Sequence, residues 1–244
     1  RRNFLGGALV AAGAVSAATA SGARAVQADG GGMAEKRALK ATEAYMAEHR
    51  AAWGLPGMTL ALVTRDGFSG FAQSGLADVE REIEVRPDHL FQIGSISKMF
   101  TALGAWSLID EGKLSPETRL SDALAGFSVR GGKAITLQQL LNHTSGLPAD
   151  SALFPEGGLF TGFAPGSNWS YSNCGYALAG MIAAAADGRR FDSMVEARVL
   201  QKLGMTQSAP AIRVADRARY AQGYEPALTD RLNPRPGAMT PSPW

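Results

Sequence analysis

The chain has 244 residues, of which 45% are hydrophobic and 19% charged, and its formal net charge is +2. That apolar content suffices for a sizeable folded core and excludes a largely disordered chain. Three of the 24 basic residues and none of the 22 acidic ones lie in the first 25 positions, so the remainder is nearly neutral and nucleic acid is not expected as a partner.

Residues 1–25 predict a twin-arginine-type export signal. Arg1-Arg2 precedes an uncharged stretch rich in Ala and Gly, and small residues on both sides of Arg24 supply a cleavage pattern. A retained membrane anchor is the alternative, although Gly and Ala contribute little to membrane insertion. We therefore expect a periplasmic or secreted protein that meets a membrane only through this signal, with a linker at residues 26–33.

The next segment predicts one helix and a small antiparallel sheet. Apolar residues recur at helical spacing from Met33 to Trp53. Two short apolar runs, at residues 58–64 and 68–77, flank an Asp66-Gly67 turn and predict a hairpin. A third short strand is expected at residues 83–85.

The pattern then changes to helices. They are expected from Ser95 to a stop at Gly112, from Leu137 to Asn142 behind an N-cap at Thr136, and at residues 175–186 and 191–203, the last stopped by Gly204. Five prolines after Tyr220 predict irregular chain there. Strands followed by helices indicate an α/β (α+β) fold, with an antiparallel sheet flanked by helices and an inserted all-helical lobe.

Ser95 and Lys98 form a Ser-x-x-Lys pair at the start of a predicted helix. The spacing i, i+3 places the hydroxyl and the ammonium on one helix face, where a lysine could activate a serine nucleophile. The helix N-terminus would favour a developing oxyanion. This tetrapeptide is weak evidence by itself, because a helix-capping serine followed by a solvent-exposed lysine gives the same pattern.

Tyr171 and Asn173 form a Tyr-x-Asn pair in a polar loop just before another predicted helix. A phenol held near an ammonium can take a serine proton and pass it to a leaving group. The Asn173 amide can orient a substrate carbonyl or Lys98. The alternative is that Asn173 only caps the helix and that Tyr171 is a half-buried aromatic residue.

These motifs, with two others between them, occur in an order that resembles the class C β-lactamase-related serine hydrolases. That family includes class C β-lactamases, D-alanyl-D-alanine carboxypeptidases and esterases of the penicillin-binding-protein fold. The resemblance covers residues 54–206 and rests on four strings: Phe91-Gln-Ile-Gly-Ser-Ile-Ser-Lys-Met-Phe-Thr-Ala102, Glu111-Gly-Lys-Leu114, Leu140-Leu-Asn-His-Thr-Ser-Gly-Leu-Pro148 and Pro165-Gly-Ser-Asn-Trp-Ser-Tyr-Ser-Asn-Cys-Gly-Tyr176.

The resemblance implies a β-lactamase/transpeptidase-like hydrolase domain over residues 34–244 that works through an acyl-Ser95 intermediate. It assigns proton transfer to Lys98 and Tyr171, and orientation of substrate and lysine to Asn173. The family's third motif, Lys-Thr-Gly or His-x-Gly, does not occur after Asn173. We therefore expect that motif, with further strands of the sheet, beyond Trp244, and expect residues 26–244 alone to be incompetent.

The remaining reactive side chains are expected to be structural. His143 could be the base of a Ser/His/Asp triad, but the chain lacks a Gly-x-Ser-x-Gly elbow, so a capping or hydrogen-bonded histidine is favoured. His49 and His89 are expected at the surface or in packing, and Cys174, the single cysteine, as a buried filler. No metal and no other cofactor is expected.

Three functions remain open from the sequence. The first is an exported hydrolase of an ester, amide or β-lactam carbonyl in a small-molecule or peptidoglycan-like substrate, with an ester or D-amino-acid peptide favoured over a β-lactam. The second is a penicillin- or peptidoglycan-binding module without turnover. The third is an inactive truncated product.

Overall fold

The computed structural model describes residues 32–228 and 236–241, and the predicted export signal lies outside them. The chain divides into two compact units. The first contains residues 32–88 with the described part of 222–244, and the second contains residues 89–221. Within the described residues, no helix combines the length and apolar character needed to cross a membrane.

The first unit contains the predicted helix and hairpin. Helix α1 (Met33–Trp53) precedes the antiparallel strands β1 (Gly57–Val63), β2 (Ser69–Asp78) and β3 (Ile83–Glu84), which pair in the order β1-β2-β3. The helix contacts β2, where Arg50 Nε donates a hydrogen bond to Ser74 Oγ at 3.1 Å. The strand predictions are therefore confirmed to within one or two residues.

The prediction of irregular chain after Tyr220 is wrong for part of that segment. Strands β6 (Tyr224–Leu228) and β7 (Pro236–Pro241) pair antiparallel in a separate two-stranded sheet. The register shifts between Pro226 and Leu228. Proline is tolerated at bulges and strand ends, where no ladder hydrogen bond needs its missing N–H, so these prolines do not prevent pairing.

The second unit is mostly helical and contains the predicted lobe. A 3₁₀ turn leads into α2, and short elements separate it from the central helix α5. The helices and strands are α2 (Ser97–Asp110), α3 (Leu120–Ala123), β4 (Val129–Arg130), α4 (Leu137–Leu141), β5 (Leu159–Phe160), α5 (Asn173–Asp187) and α6 (Phe191–Val195). Strands β4 and β5 pair in parallel.

The core of this unit lies around α5. Leu178 and Ile182 on one face of α5 are fully buried, together with Leu137 and Leu140 of α4. Thr136 and Gln139 form a capping box at the start of α4, which confirms the predicted N-cap. A Cβ added at Gly180 of α5 would lie 2.9 Å from the ring of Phe191, so this glycine allows α5 and α6 to pack closely.

The helix predicted over residues 191–203 is not a single α-helix. It continues from α6 as a π-helical segment (Glu196–Leu200), and Gly204 follows with φ of 67°. In that segment Arg198, only 7% exposed, donates to Asp187 Oδ1 at 2.6 Å and to Glu111 Oε1 at 2.8 Å. The wider turns of a π-helix are rare and usually mark a functional or packing constraint. In this segment they coincide with the buried ion pairs of Arg198.

Candidate active site

The predicted nucleophile lies where the chain enters α2. Gly94 has φ of 51°, a left-handed conformation that costs glycine little, and an added Cβ there would meet no atom within 4 Å. Ser95 follows in the 3₁₀ turn (Gly94–Ile96), and Lys98 lies in the first turn of α2. Lys98 Nζ donates to Ser95 Oγ at 3.1 Å, so the i, i+3 pair faces one side as predicted.

Tyr171 completes the contact with the serine. Its hydroxyl oxygen and Ser95 Oγ share a hydrogen bond of 2.5 Å, although the two residues are 76 positions apart. Lys98 Nζ lies 4.8 Å from the centroid of the Tyr171 ring. The interaction with Lys98, which is the larger cause, and the hydrogen bond with Ser95 hold the pKa of the Tyr171 phenol below its ordinary value. The phenol is thereby shifted towards the form that accepts a proton.

Asn173 is the first residue of α5 and its side chain reaches Lys98. Lys98 Nζ donates to Asn173 Oδ1 at 2.6 Å. The alternative in which Asn173 caps the helix is wrong, because the N-cap is Ser172, whose Oγ accepts the N–H of Gly175 at 2.9 Å. The structure thus brings all four predicted residues together in one connected set of hydrogen bonds.

Hydrogen bonds hold the loop that carries Tyr171 and Asn173 against the segment that follows α4. The stretch 143–151 after α4 runs beside the stretch 165–174 before α5. Three bonds join them through main-chain or capping groups: Ser170 N–H to His143 O at 2.9 Å, Ser172 Oγ to Pro148 O at 2.7 Å, and Asn173 N–H to Ala149 O at 2.8 Å. The Leu-Leu-x-His-Thr-Ser-Gly-Leu-Pro string is therefore the support on which the Tyr-x-Asn loop lies.

His143 is part of that support, as predicted for a capping or hydrogen-bonded histidine. It has φ of 64° just after α4, and its Nδ1 accepts the N–H of Ser172 at 3.1 Å. Its ring lies against that of Tyr171, with centroids 4.6 Å apart. Burial, followed by the charge of Lys98, lowers the pKa of His143, which favours the neutral ring that this hydrogen bond requires.

Asp150 belongs to the site but was missed in the sequence. Its Oδ1 accepts a hydrogen bond from Asn173 Nδ2 at 2.6 Å. It follows the Leu-Leu-x-His string by two residues, and no spacing rule connects it to Asn173, which lies 23 positions later. Its place beside the family string is the one signal that could have marked it.

The other reactive side chains lie elsewhere or are inert. Cys174 is 3% exposed, and burial raises the pKa of its thiol, so it is the expected filler. His49 packs between Tyr45 and Trp53 on α1, and His89 is buried. Among the described residues, no three His, Cys, Asp or Glu side chains form a cluster suited to a metal ion.

The fold around this site is that of the penicillin-binding proteins and β-lactamases. The crystal structure of D-alanine carboxypeptidase AmpC from Burkholderia cenocepacia superimposes with a TM-score of 0.68 at 30% sequence identity, covering 78% of this chain and 55% of that one. The fold class expected from the sequence is thus confirmed.

The chain belongs to the Beta-lactamase family, whose model it matches over residues 42–243. Penicillin-binding protein 4 of Amycolatopsis lactamdurans is 30% identical over 210 residues, or 80% of this chain and 54% of that protein. A β-lactamase of Pseudomonas fluorescens is 33% identical over 190 residues, or 71% of this chain and 51% of that protein. The chain spans about half the length of the curated relatives it matches.

Proposed function

We propose that the protein is a serine hydrolase that works through an acyl ester on Ser95. The observation that carries the proposal is the position of Ser95 Oγ, 2.5 Å from the Tyr171 hydroxyl oxygen and 3.1 Å from Lys98 Nζ. A serine becomes an effective nucleophile only when a neighbouring group takes its proton. Both candidate groups are within hydrogen-bond distance, and membership of the Beta-lactamase family supports the same chemistry.

In the proposed acylation step, Ser95 Oγ attacks the substrate carbonyl carbon and its proton passes to the Tyr171 oxygen. The lowered pKa of Tyr171 favours this acceptor role. The Lys98 ammonium stabilises negative charge on both oxygens, and the N-terminus of the helix adds partial positive charge beside the developing oxyanion. Collapse of the tetrahedral intermediate breaks the bond to the leaving group, which receives the proton from Tyr171.

Deacylation reverses the proton path. A water molecule attacks the Ser95 ester, Tyr171 takes one proton from that water, and Ser95 Oγ leaves as the acid product forms. The proton then returns from Tyr171 to Ser95 Oγ. Asn173 contributes by accepting a hydrogen bond from Lys98, which fixes the ammonium beside the two reacting oxygens.

The substrate class that we propose is an ester or a D-amino-acid peptide of peptidoglycan-like chemistry, rather than a β-lactam. The similar proteins include one named as a D-alanine carboxypeptidase, one named as a penicillin-binding protein and one named as a β-lactamase. Release of a β-lactam acyl group needs a specifically placed water, which is a more demanding requirement than attack on an activated ester. A kcat/KM for a cephalosporin well above that for simple esters would contradict this preference.

We also propose export through the twin-arginine-type pattern at the start of the chain. The support is the Arg1-Arg2 pair ahead of an uncharged, weakly apolar stretch. Replacing both arginines by lysine keeps the charge and should retain the protein in the cytoplasm, as measured by cell fractionation. Unchanged periplasmic or secreted activity in that variant would reject this export route.

The test of the hydrolase uses wild type and Ser95→Ala of the full-length protein, with a p-nitrophenyl ester and a fluorescent penicillin. Loss of the Oγ should lower kcat by about 10⁴-fold or more. Stoichiometric penicillin labelling without ester turnover would instead support a binding module. Retention of most of the esterase rate by Ser95→Ala would refute the assignment of Ser95.

A further inference from the structure

Asn173 sits between two groups of opposite charge. Its Oδ1 accepts from Lys98 Nζ and its Nδ2 donates to Asp150 Oδ1, both at 2.6 Å. The three side chains therefore form a continuous chain of hydrogen bonds from a carboxylate, through an amide, to an ammonium that also contacts the nucleophile.

This arrangement determines which way the amide faces. The oxygen and nitrogen of an asparagine side chain are nearly equal in size, so hydrogen-bond partners rather than shape select the orientation. An ionised carboxylate only accepts hydrogen bonds and an ammonium only donates them. Rotating the Asn173 amide by half a turn would place its oxygen against Asp150 and its NH₂ group against Lys98, and both contacts would be repulsive.

The backbone holds Asp150 in the right place. The residues on both sides of it are joined to the start of α5: Ala149 O accepts the N–H of Asn173 at 2.8 Å, and Ser151 O accepts from Cys174 Sγ at 3.3 Å. Because Asp150 lies between these two contacts, its carboxylate is carried on a segment that is fixed relative to Asn173.

We propose that Asp150 is a positioning residue that locks the Asn173 amide with its oxygen towards Lys98. This inference rests on the proposed acyl-transfer function and extends it to a residue outside the Ser-x-x-Lys and Tyr-x-Asn motifs. Without Asp150, only the contact with Lys98 opposes rotation of the amide, so the acceptor for the Lys98 ammonium is held less firmly. A misplacement of about 1 Å in such a group can lower a rate by about 10²-fold.

The experiment compares Asp150→Ala and Asp150→Asn in the full-length protein, with a p-nitrophenyl ester as substrate. Asp150→Ala should lower kcat by roughly 10- to 100-fold with KM nearly unchanged. Asp150→Asn should retain most of the rate, because its amide oxygen can still accept from Asn173 Nδ2. Glu156→Gln removes one exposed carboxylate from the same unit, controls for net charge and should behave as wild type.

A double-substitution cycle separates positioning from direct action. In an Asn173→Ala background there is no amide to orient, so adding Asp150→Ala should change kcat by less than about threefold. If the fold-losses in kcat of the two single variants multiply in the double variant, Asp150 acts independently of Asn173 and the proposal is overturned. Equal losses in Asp150→Asn and Asp150→Ala would show that the charge itself matters, and would overturn it as well.

Two further measurements keep the outcomes distinct. The melting temperature shows how much of Asp150→Ala is unfolded at the assay temperature. If that unfolded fraction accounts for the lost rate, Asp150 has a structural role and the positioning role is rejected. Ser95→Ala is included in the same assay: if it remains active, the proposed function fails. If Ser95→Ala is inactive and Asp150→Ala is not impaired, the hydrolase assignment stands and the positioning role alone is rejected.

Discussion

Lys98 and Tyr171 should act as one proton-transfer unit, and paired substitutions test this directly. Tyr171→Phe removes the oxygen that lies 2.5 Å from Ser95 Oγ but keeps the ring that packs against His143. Lys98→Ala removes the ammonium that lies 3.1 Å from the same Oγ and 2.6 Å from Asn173 Oδ1. Each change therefore breaks a contact to the nucleophile while leaving the backbone support in place.

The expected size follows from these contacts. A positioned general base contributes about 10²- to 10⁴-fold to a rate, so each single variant should lose kcat within that range. Because Lys98 is the largest cause of the lowered pKa of Tyr171, removing the lysine also weakens the phenol as a proton acceptor. The double variant should then be no worse than the poorer single variant by more than about tenfold, whereas independent actions would multiply to about 10⁴- to 10⁸-fold.

The assay is the initial rate of p-nitrophenyl ester hydrolysis by the full-length protein at saturating substrate. Tyr176→Phe is the matched control: its hydroxyl donates to Leu141 O at 2.8 Å, so its loss should lower stability by about 1 kcal/mol. Its kcat should remain close to that of wild type. Multiplying losses for Lys98→Ala and Tyr171→Phe would refute a shared proton path, even if each variant alone is impaired.

Three further predictions concern stability. Arg198→Met should lower the free energy of unfolding in urea by about 2 kcal/mol, because it removes one of the two arginines that hydrogen-bond the buried Asp187 side chain while Arg189 remains. The exposed Arg190→Met should leave the urea midpoint unchanged, and equal effects of the two substitutions would reject the buried network. Folding lowers the pKa of His143, so the unfolded chain binds a proton at a higher pH than the folded chain does. The free energy of unfolding should therefore fall as the pH drops below about 6.5. If His143→Asn shows the same pH dependence of this free energy as wild type, the prediction is contradicted. Thr136→Ala should lower the free energy of unfolding by about 1 kcal/mol, because it removes the capping box of α4. A loss no larger than that of an exposed surface substitution would contradict this prediction.

Local patterns predicted the elements that local forces stabilise. Apolar spacing identified α1 with the observed bounds, and the Asp66-Gly67 turn identified the β1-β2 hairpin. These features depend on contacts between residues a few positions apart, and such contacts are visible in the sequence as periodicity and turn chemistry. The helix over residues 191–203 shows the limit, since the same spacing fits an α-helix and the π-helical segment at Glu196–Leu200.

In the candidate site too, part of the geometry follows from local spacing and part depends on long-range packing. The Ser95 and Lys98 pair spans the junction between the 3₁₀ turn and α2, so its geometry follows from local spacing. Tyr171 and Asn173 were identified as candidates by their motif, but nothing local states that they reach Ser95. Asp150 was missed altogether, because an aspartate after a proline-containing turn is ordinary in any surface loop.

The sequence by itself determined the family, the helix start at which the nucleophile lies and the identity of four candidate site residues, because those signals are short motifs and local spacings. The tertiary structure alone decided that residues 143–151 lie beside residues 165–174, and with them that Asp150, Asn173 and Lys98 form one chain of hydrogen bonds. It also decided that residues after Tyr220 form β6 and β7 in spite of their prolines. The physical reason is that hydrogen bonds between two segments form only when both segments are packed against each other, and neither segment's own sequence pattern names its partner.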